Sequence, residues 1–249
     1  MRLVNRIEID AKDLHYTPLN QQIRKAVNEG AKEITVRNLM GQRFIADGLK
    51  GNVSLVLHGV AGGDLGMFMS GPDITLYGNA DHAPGNTMDA GSITIHGSAG
   101  DAAAHSMRGG KVFVRDTIGY RGGIHMKQYL DKRPVLVLGG SASSFLGEYM
   151  AGGLILVLQR FTDTMNDERG IGSGIHGGEI IIRGEISDDC LGVGTKKNPC
   201  SGEEITRITP LILEFAEKFG IDPAPFLKSE YTRISPASAR PFANKYTWE

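Results

Sequence analysis

The sequence predicts an all-β chain: a single-stranded right-handed parallel β-helix of about seven coils, with short helical caps at both ends. Three observations predict it. Short aliphatic strands recur as Ile34-Val36, Val53-Leu55-Leu57, Ile74-Leu76, Ile93-Ile95, Val112-Val114, Val135-Val137, Ile155-Val157 and Ile180-Ile182, at separations of 19, 21, 19, 19, 23, 20 and 25 residues. Glycine is in excess, at 34 of 249 residues, roughly twice the usual share of about 7%, and Gly59, Gly78, Gly97, Gly139 and Gly184 stand at strand ends. Met69, Met88, Met107 and Met150 recur just before the next strand, each followed shortly by Gly71, Gly91, Gly109 or Gly152.

Within each strand the alternation has period two, so Ile93 and Ile95 point one way and Thr94 and His96 the other. A lone unit of about 20 residues would bury some five apolar side chains at about 2 kcal/mol each. Ordering its backbone costs about 1 kcal/mol or more per residue, so no unit folds alone. Stacking lets every strand bond to the coils above and below at about 4.8 Å and joins the repeats into one core. Glycines take the corners, and "DAAAHSM" lines a coil rather than forming a helix. Leucine-rich and calcium-binding nonapeptide signatures are missing, and a hexapeptide period does not fit spacings of 19 to 21. Crossovers between parallel strands are usually right-handed.

The ends break the repeat. Residues 1–33 read as a strand "NRIEID" and a helix with Thr17 as N-cap, Pro18 at its first position, and Leu19, Ile23, Ala26 and Val27 on one face, stopped by Gly30. Residues 34–187 form the β-helix domain. Residues 188–249 form a helical and extended tail in which Ser201 and Glu204 have capping-box spacing, Thr209-Pro210 starts "LILEFAEKFG", and Asp222-Pro223 begins a short turn. Both end segments are expected to cover open strand edges. From Ser229 the tail is extended, with Pro236, Pro241 and the only tryptophan, Trp248, a candidate partner anchor.

Lys plus Arg at 27 against Asp plus Glu at 28 gives a net charge of -1, which argues against nucleic acid or anionic membrane as partner. The longest aliphatic runs, "VLVL" and "LILVL", are too short to span a bilayer, and the N-terminus has no apolar leader core, so a cytoplasmic protein is expected. Cys190 and Cys200 match no common zinc spacing and read as free structural thiols. The run from Gly172 to Gly177 formally matches GxGxxG but leads into the strand "EIIIRG", whereas phosphate binding needs a helix N-terminus there. His58 and His96 fall on outward strand positions, and His125 and His176 recur in "GGIHM" and "SGIHG" by repeat symmetry. Asp64, Asp81 and Asp101 follow their strand-ending glycines at offsets of 5, 3 and 4 residues and form no aligned carboxylate cluster. No catalytic, cofactor-binding or metal-binding residue is assigned. Two coils are longer than the rest, and Lys127 to Arg133 and Arg160 to Arg169 are expected to project as charged loops toward a partner.

The run "ITLYGNADHAPGNTMDAGSITIHGSAGDAAAHSMRGGKVFV", with "VLVLGGSASSFLGEYMAGGLILVL" and "GSGIHGGEIIIRG", resembles the GXGXG domain at the C-terminus of the glutamate synthase large subunit, over about residues 34–187. Its closest form looks like the separate third domain of split glutamate synthases, and the domain also occurs in one of the polypeptides of formylmethanofuran dehydrogenase and in N-methylglutamate synthase. The resemblance implies a β-helix with no catalytic residues of its own. It further implies a glutamine amidotransferase and an FMN-dependent, iron–sulfur synthase as partner subunits, with FMN and the cluster held by the partner. The expected function is that of a structural subunit of a glutamate-synthase-type complex in nitrogen metabolism. A formylmethanofuran dehydrogenase or N-methylglutamate synthase component is the alternative, and a polymer-acting β-helix enzyme or a self-assembling β-helix stands further off. Homo-oligomerisation is left open.

Overall fold

A computed structural model describes residues 6–160 and 165–238. Eight strands, β2 (Glu33–Gln42), β3 (Ser54–Ala61), β4 (Ser70–Tyr77), β5 (Ala90–Ile95), β6 (Lys111–Val114), β7 (Val135–Leu138), β8 (Ala151–Val157) and β9 (Gly177–Arg183), pair in parallel, each with the next. The chain is a parallel β-helix. Its inner wall is two columns of stacked side chains. Ile34, Leu55, Ile74, Ile93, Val112, Leu136, Ile155 and Ile180 form one, and Val36, Leu57, Leu76, Ile95, Val114, Leu138, Val157 and Ile182 the other. All are at most 1% exposed.

This register corrects the sequence alignment at two strands. Leu55, not Val53, stands opposite Ile34, and in β7 Leu136 and Leu138 face inward while Val135 and Val137 face out. "VLVL" is apolar at every position because both faces of β7 are covered, so alternation could not show which set points in. With the register corrected, Leu55 to Ile74, Ile74 to Ile93, Ile93 to Val112 and Leu136 to Ile155 are all 19 residues apart. The described turns number about six rather than seven. The coil from β8 to β9 contains residues 161–164, which lie outside the description.

The bends are as regular as the strands. Ala61, Ala80, Ala99, Ile118 and Ala142 are bridged in series at one corner. Met69, Met88, Met107, Met126 and Met150 are fully buried and occupy equivalent places before the next coil. Flexible thioethers fill the irregular space that the bends leave. Met126 is hard to find from sequence because its coil inserts residues between it and the next strand.

At the N-terminal end β1 (Arg6–Asp10) adds a parallel strand to β2, and α1 (Tyr16–Asn28) crosses over between them. The helix begins slightly earlier than expected: His15 is the N-cap, its Nδ1 accepting from the Thr17 N–H at 3.4 Å. Pro18 is tolerated because first-turn N–H groups have no partner in the helix. Leu19, Ile23 and Ala26 join the main core. Asn20 Nδ2 donates to the Arg43 carbonyl at 2.9 Å and Arg24 Nη2 to the Asp47 carbonyl at 2.5 Å, so α1 closes the first coil's open backbone.

The other end is built differently from the expected helical cap. The long helix α2 (Gly202–Phe219) lies against the outer face of the sheet, where Ile208, Ile212 and Phe215 cluster with Phe113, Val137, Leu156 and Ile181. Those outward residues need cover, and an amphipathic helix supplies it. The stack itself is closed by β11 (Tyr231–Pro236), antiparallel to β9, and by β10 (Thr195–Pro199), antiparallel to β11. Lys196, Lys197 and Pro199 discourage pairing at that final edge. In α2 the Ser201–Glu204 capping box is formed, so the helix starts well before Thr209 and carries Pro210 inside it. Thr206 and Pro210 are both exposed, so the carbonyl that loses its partner can face water. The expected turn after Asp222 is α3 (Ala224–Leu227), whose Ala224 N–H bonds Asp222 Oδ1 at 3.0 Å. Trp248 lies outside the described residues.

Candidate functional site

The feature that sets this solenoid apart from a plain β-helix is a segment in each coil whose alternate residues have left-handed φ. Asp64, Gly66 and Phe68 do so in one coil, followed by Ala83, Gly85 and Thr87, then Ala102, Ala104 and Ser106. The series continues through Arg121, Gly123 and His125, Phe145, Gly147 and Tyr149, and ends in Gly170, Gly172 and Gly174. Only the last coil shows three glycines in the G-x-G-x-G arrangement. This explains why the motif resembles a failed dinucleotide loop in the sequence: the run from Gly172 serves backbone curvature, with no helix behind it.

The middle member points into the core. A Cβ on Gly123 would stand 2.4 Å from Ile155 Cδ1, and one on Gly147 2.5 Å from Ile180 Cδ1. Ala104 shows that a methyl fits where the facing aliphatic residue leaves room. The other two members of each triplet face outward and make a surface of stacked rows. Coils are tied along it by backbone bonds: the Phe68, Thr87, Ser106, His125 and Tyr149 N–H groups donate to Asn86, His105, Ile124, Glu148 and Ser173 carbonyls at 2.8–3.0 Å.

The polar side chains on this surface pair with neighbours. Asn86 Nδ2 donates to Asp64 Oδ1 at 2.9 Å, and His105 Nδ1 lies 3.1 Å from Asn86 Oδ1. Burial, then His125, lowers the His105 pKa, and Asp64 opposes the shift. His125 stacks on Tyr149 with centroids 5.4 Å apart. Arg121 donates to Glu148 Oε2 at 3.0 Å and lies over the Phe145 ring. Asp101 accepts from the Tyr120 N–H at 2.9 Å, and Asp81 and Asp101 flank the His82 ring at 3.5 and 3.9 Å, while Asp64 bonds to Asn86 elsewhere. His58, Tyr77 and His96 stack in a second column at the strand ends, capped by Phe219 from α2. Burial, aided by Arg115, lowers the His96 pKa. His176 is exposed. Among the described residues no three His, Cys, Asp or Glu side chains converge as a metal site would require.

A buried ion cluster has no counterpart in the sequence expectations. Glu179 on β9 is 3% exposed. It accepts from Arg133 at 2.5 Å, from Arg233 Nε at 2.8 Å, and from both terminal nitrogens of Arg207, one of them at 2.9 Å. Burial alone would raise its pKa; the hydrogen bonds from Arg207 and Arg233 outweigh that and hold it below its usual value. The four residues are scattered over 101 positions of sequence, so no local motif announces them. They join β9, α2, β11 and the loop before β7. Cys200 is half-buried nearby, and burial followed by Glu204 pushes its thiol up to about 11. Cys190 is buried, and both thiols are free.

The described parts of the two long loops are tethered, and residues 161–164 of the second lie outside the described residues. Lys132 reaches Asp89 at 2.6 Å and Arg133 is held by Glu179. Arg160 donates to the Arg115 carbonyl at 3.0 Å and Arg169 to the Asn166 and Glu168 carbonyls. A groove of about 570 Å³ lies by the C-terminal hairpin, lined in part by Ile186, Lys197, Cys200, Ile205, Glu230 and Tyr231. No described helix is long and apolar enough to cross a membrane.

Comparison with known proteins agrees with this architecture. The uncharacterized protein MJ1350 of Methanocaldococcus jannaschii is 52% identical over 258 aligned positions, covering 99% of this chain and 98% of that protein. The model of the GXGXG motif family matches residues 15–238, taking in the solenoid, α1 and the C-terminal hairpin. The chain is therefore a member of the GXGXG motif family, that of the glutamate synthase C-terminal domain.

Proposed function

We propose that this chain is a non-catalytic scaffold subunit of a glutamate-synthase-type complex, holding a glutamine amidotransferase and an FMN-dependent, iron–sulfur synthase subunit in fixed register. FMN and the cluster reside in the synthase partner. The observation that carries this reading is the family match across the whole solenoid and both of its closures. The use of the polar side chains supports it: Asp64, Arg121 and Glu148 bond from coil to coil, and Glu179 ties β9 to α2. A rigid stack with exposed side chains along its length suits positioning rather than turnover. Its work would be to keep the site that releases ammonia facing the site that consumes it with 2-oxoglutarate, so that ammonia is not lost to solvent.

The test is a tagged pull-down from the native source at low salt, with mass spectrometry and an absorbance scan. Recovery of an amidotransferase with a yellow iron–sulfur protein is the expected result. Molybdenum or tungsten enzyme subunits would instead assign the chain to a formylmethanofuran dehydrogenase, and a colourless chain alone would overturn the scaffold reading.

A further inference from the structure

The coil from Val112 to Leu136 is 24 residues long, five more than its neighbours. The added residues close a tight hairpin turn in which Tyr129 and Lys132 exchange both backbone hydrogen bonds, at 3.2 and 3.0 Å. Its base is fixed on both sides of the turn's exit: Lys132 binds Asp89 at 2.6 Å, and Arg133 is anchored on buried Glu179. The tip carries the wrong residues for a turn that serves only to reverse the chain. Leu130 has φ +54 at the first central position, where glycine is favoured. It is also 78% exposed, with Tyr129 at 63%. Unlike the left-handed residues of the coil rows, Leu130 sits in a turn outside the repeat, so coil curvature does not account for its conformation or its exposure. Exposed Arg108 and Lys127 stand beside the loop in adjacent coils of one row, and exposed Asp131 is the turn's second central residue, so the apolar tip has a charged border in which cations outnumber the one acid.

We propose that Tyr129 and Leu130 form a preset anchor that inserts into an apolar socket, bordered by acidic side chains, on a protein subunit of the complex; this rests on the scaffold reading. Because the hairpin is already held in shape, little ordering entropy is lost on docking. An aromatic and an aliphatic side chain at the centre with charges at the rim is the usual composition of a binding hot spot.

The test uses the full chain with the amidotransferase and flavin-dependent synthase polypeptides of its source. Urea unfolding and titration calorimetry are run on the wild type and on Leu130→Gly, Tyr129→Ser and Lys127→Glu. Leu130→Gly is the decisive variant, because relief of backbone strain should leave stability equal or higher while partner affinity falls by about 30-fold or more. Tyr129→Ser should lose affinity similarly. Lys127→Glu should lose several-fold at low salt and little at high salt. Wild-type affinity in Leu130→Gly overturns the anchor and leaves the scaffold standing. A wild-type chain that binds neither polypeptide overturns both. If Leu130→Gly instead loses only self-association, or only binding to phosphatidylcholine–phosphatidylserine vesicles, with affinity for both polypeptides intact, the protein socket is likewise overturned.

Discussion

The outer face of the one long sheet is dressed in two ways. Over β2 to β5 its outward row is Thr35, Val56, Thr75 and Thr94, and over β6 to β9 it is Phe113, Val137, Leu156 and Ile181. The inner columns are alike throughout, so the coil does not dictate the difference. What changes is the neighbour: α2 lies over the second half and its C-terminal end reaches only as far as Lys111 and His96. A single row of residues thus marks where the permanent cover begins: Phe113, Val137, Leu156 and Ile181 are buried beneath it, Thr94 at the boundary is still buried at 4% exposed, and Thr35, Val56 and Thr75 beyond it are only half-buried.

Breaking the covered half should cost most. Glu179→Ala would remove the carboxylate that Arg133, Arg207 and Arg233 share, leaving Arg233 with Glu204 at 3.1 Å, and unfolding in urea should show a loss of about 3–5 kcal/mol. Phe215→Ala should cost about 3–5 kcal/mol, because it opens a cavity against Phe113 and its neighbours. Pro210→Ala, by restoring a helix donor on the exposed side of α2, should gain about 1–3 kcal/mol in the same measurement. Thr75→Ala on the uncovered half should stay within about 0.5 kcal/mol. The acid sensitivity should also belong to the covered half. Glu179 has a folded pKa below its ordinary 4.5, so its contribution is full above that value and lost as pH falls through the folded pKa. Glu179→Gln should flatten the stability profile below pH about 4.5 relative to wild type. The smallest effect is chemical: with its thiol near 11, Cys200 should alkylate far more slowly at pH about 8 than a free cysteine peptide.

Much of the solenoid is legible in the sequence because its repeat is covalent and its alternation local. Strand pairs, glycine corners, most of the methionine row and the amphipathic N-terminal helix each follow from residues within one coil. Register fails at β7 for a physical reason: Val135 and Val137 are as apolar as Leu136 and Leu138 because α2 buries them from the other side. The place of α2 is hidden for the same reason, since its partners lie many residues away. The left-handed rows are concealed because alanine, serine, threonine and even arginine hold φ positions that glycine would announce. Only the coil from Gly170 to Gly174 displays the pattern openly. The Glu179 cluster and the strained tip at Leu130 need the folded molecule to be seen at all.

Because the coils are joined edge to edge, the molecule measures distance in whole steps. Each repeat advances the axis by about 4.8 Å, and the seven rises from β2 to β9 set those two strands, next to α1 and to the C-terminal hairpin, about 34 Å apart. That separation can be changed only by adding or removing a complete turn. Excising one 19-residue unit between Ile74 and Ile93 should bring every element beyond it closer by one increment without disturbing its neighbours' pairing. A protein that grips both ends would then be unable to reach, and the chain would act as a gauge whose graduations are written in its own backbone.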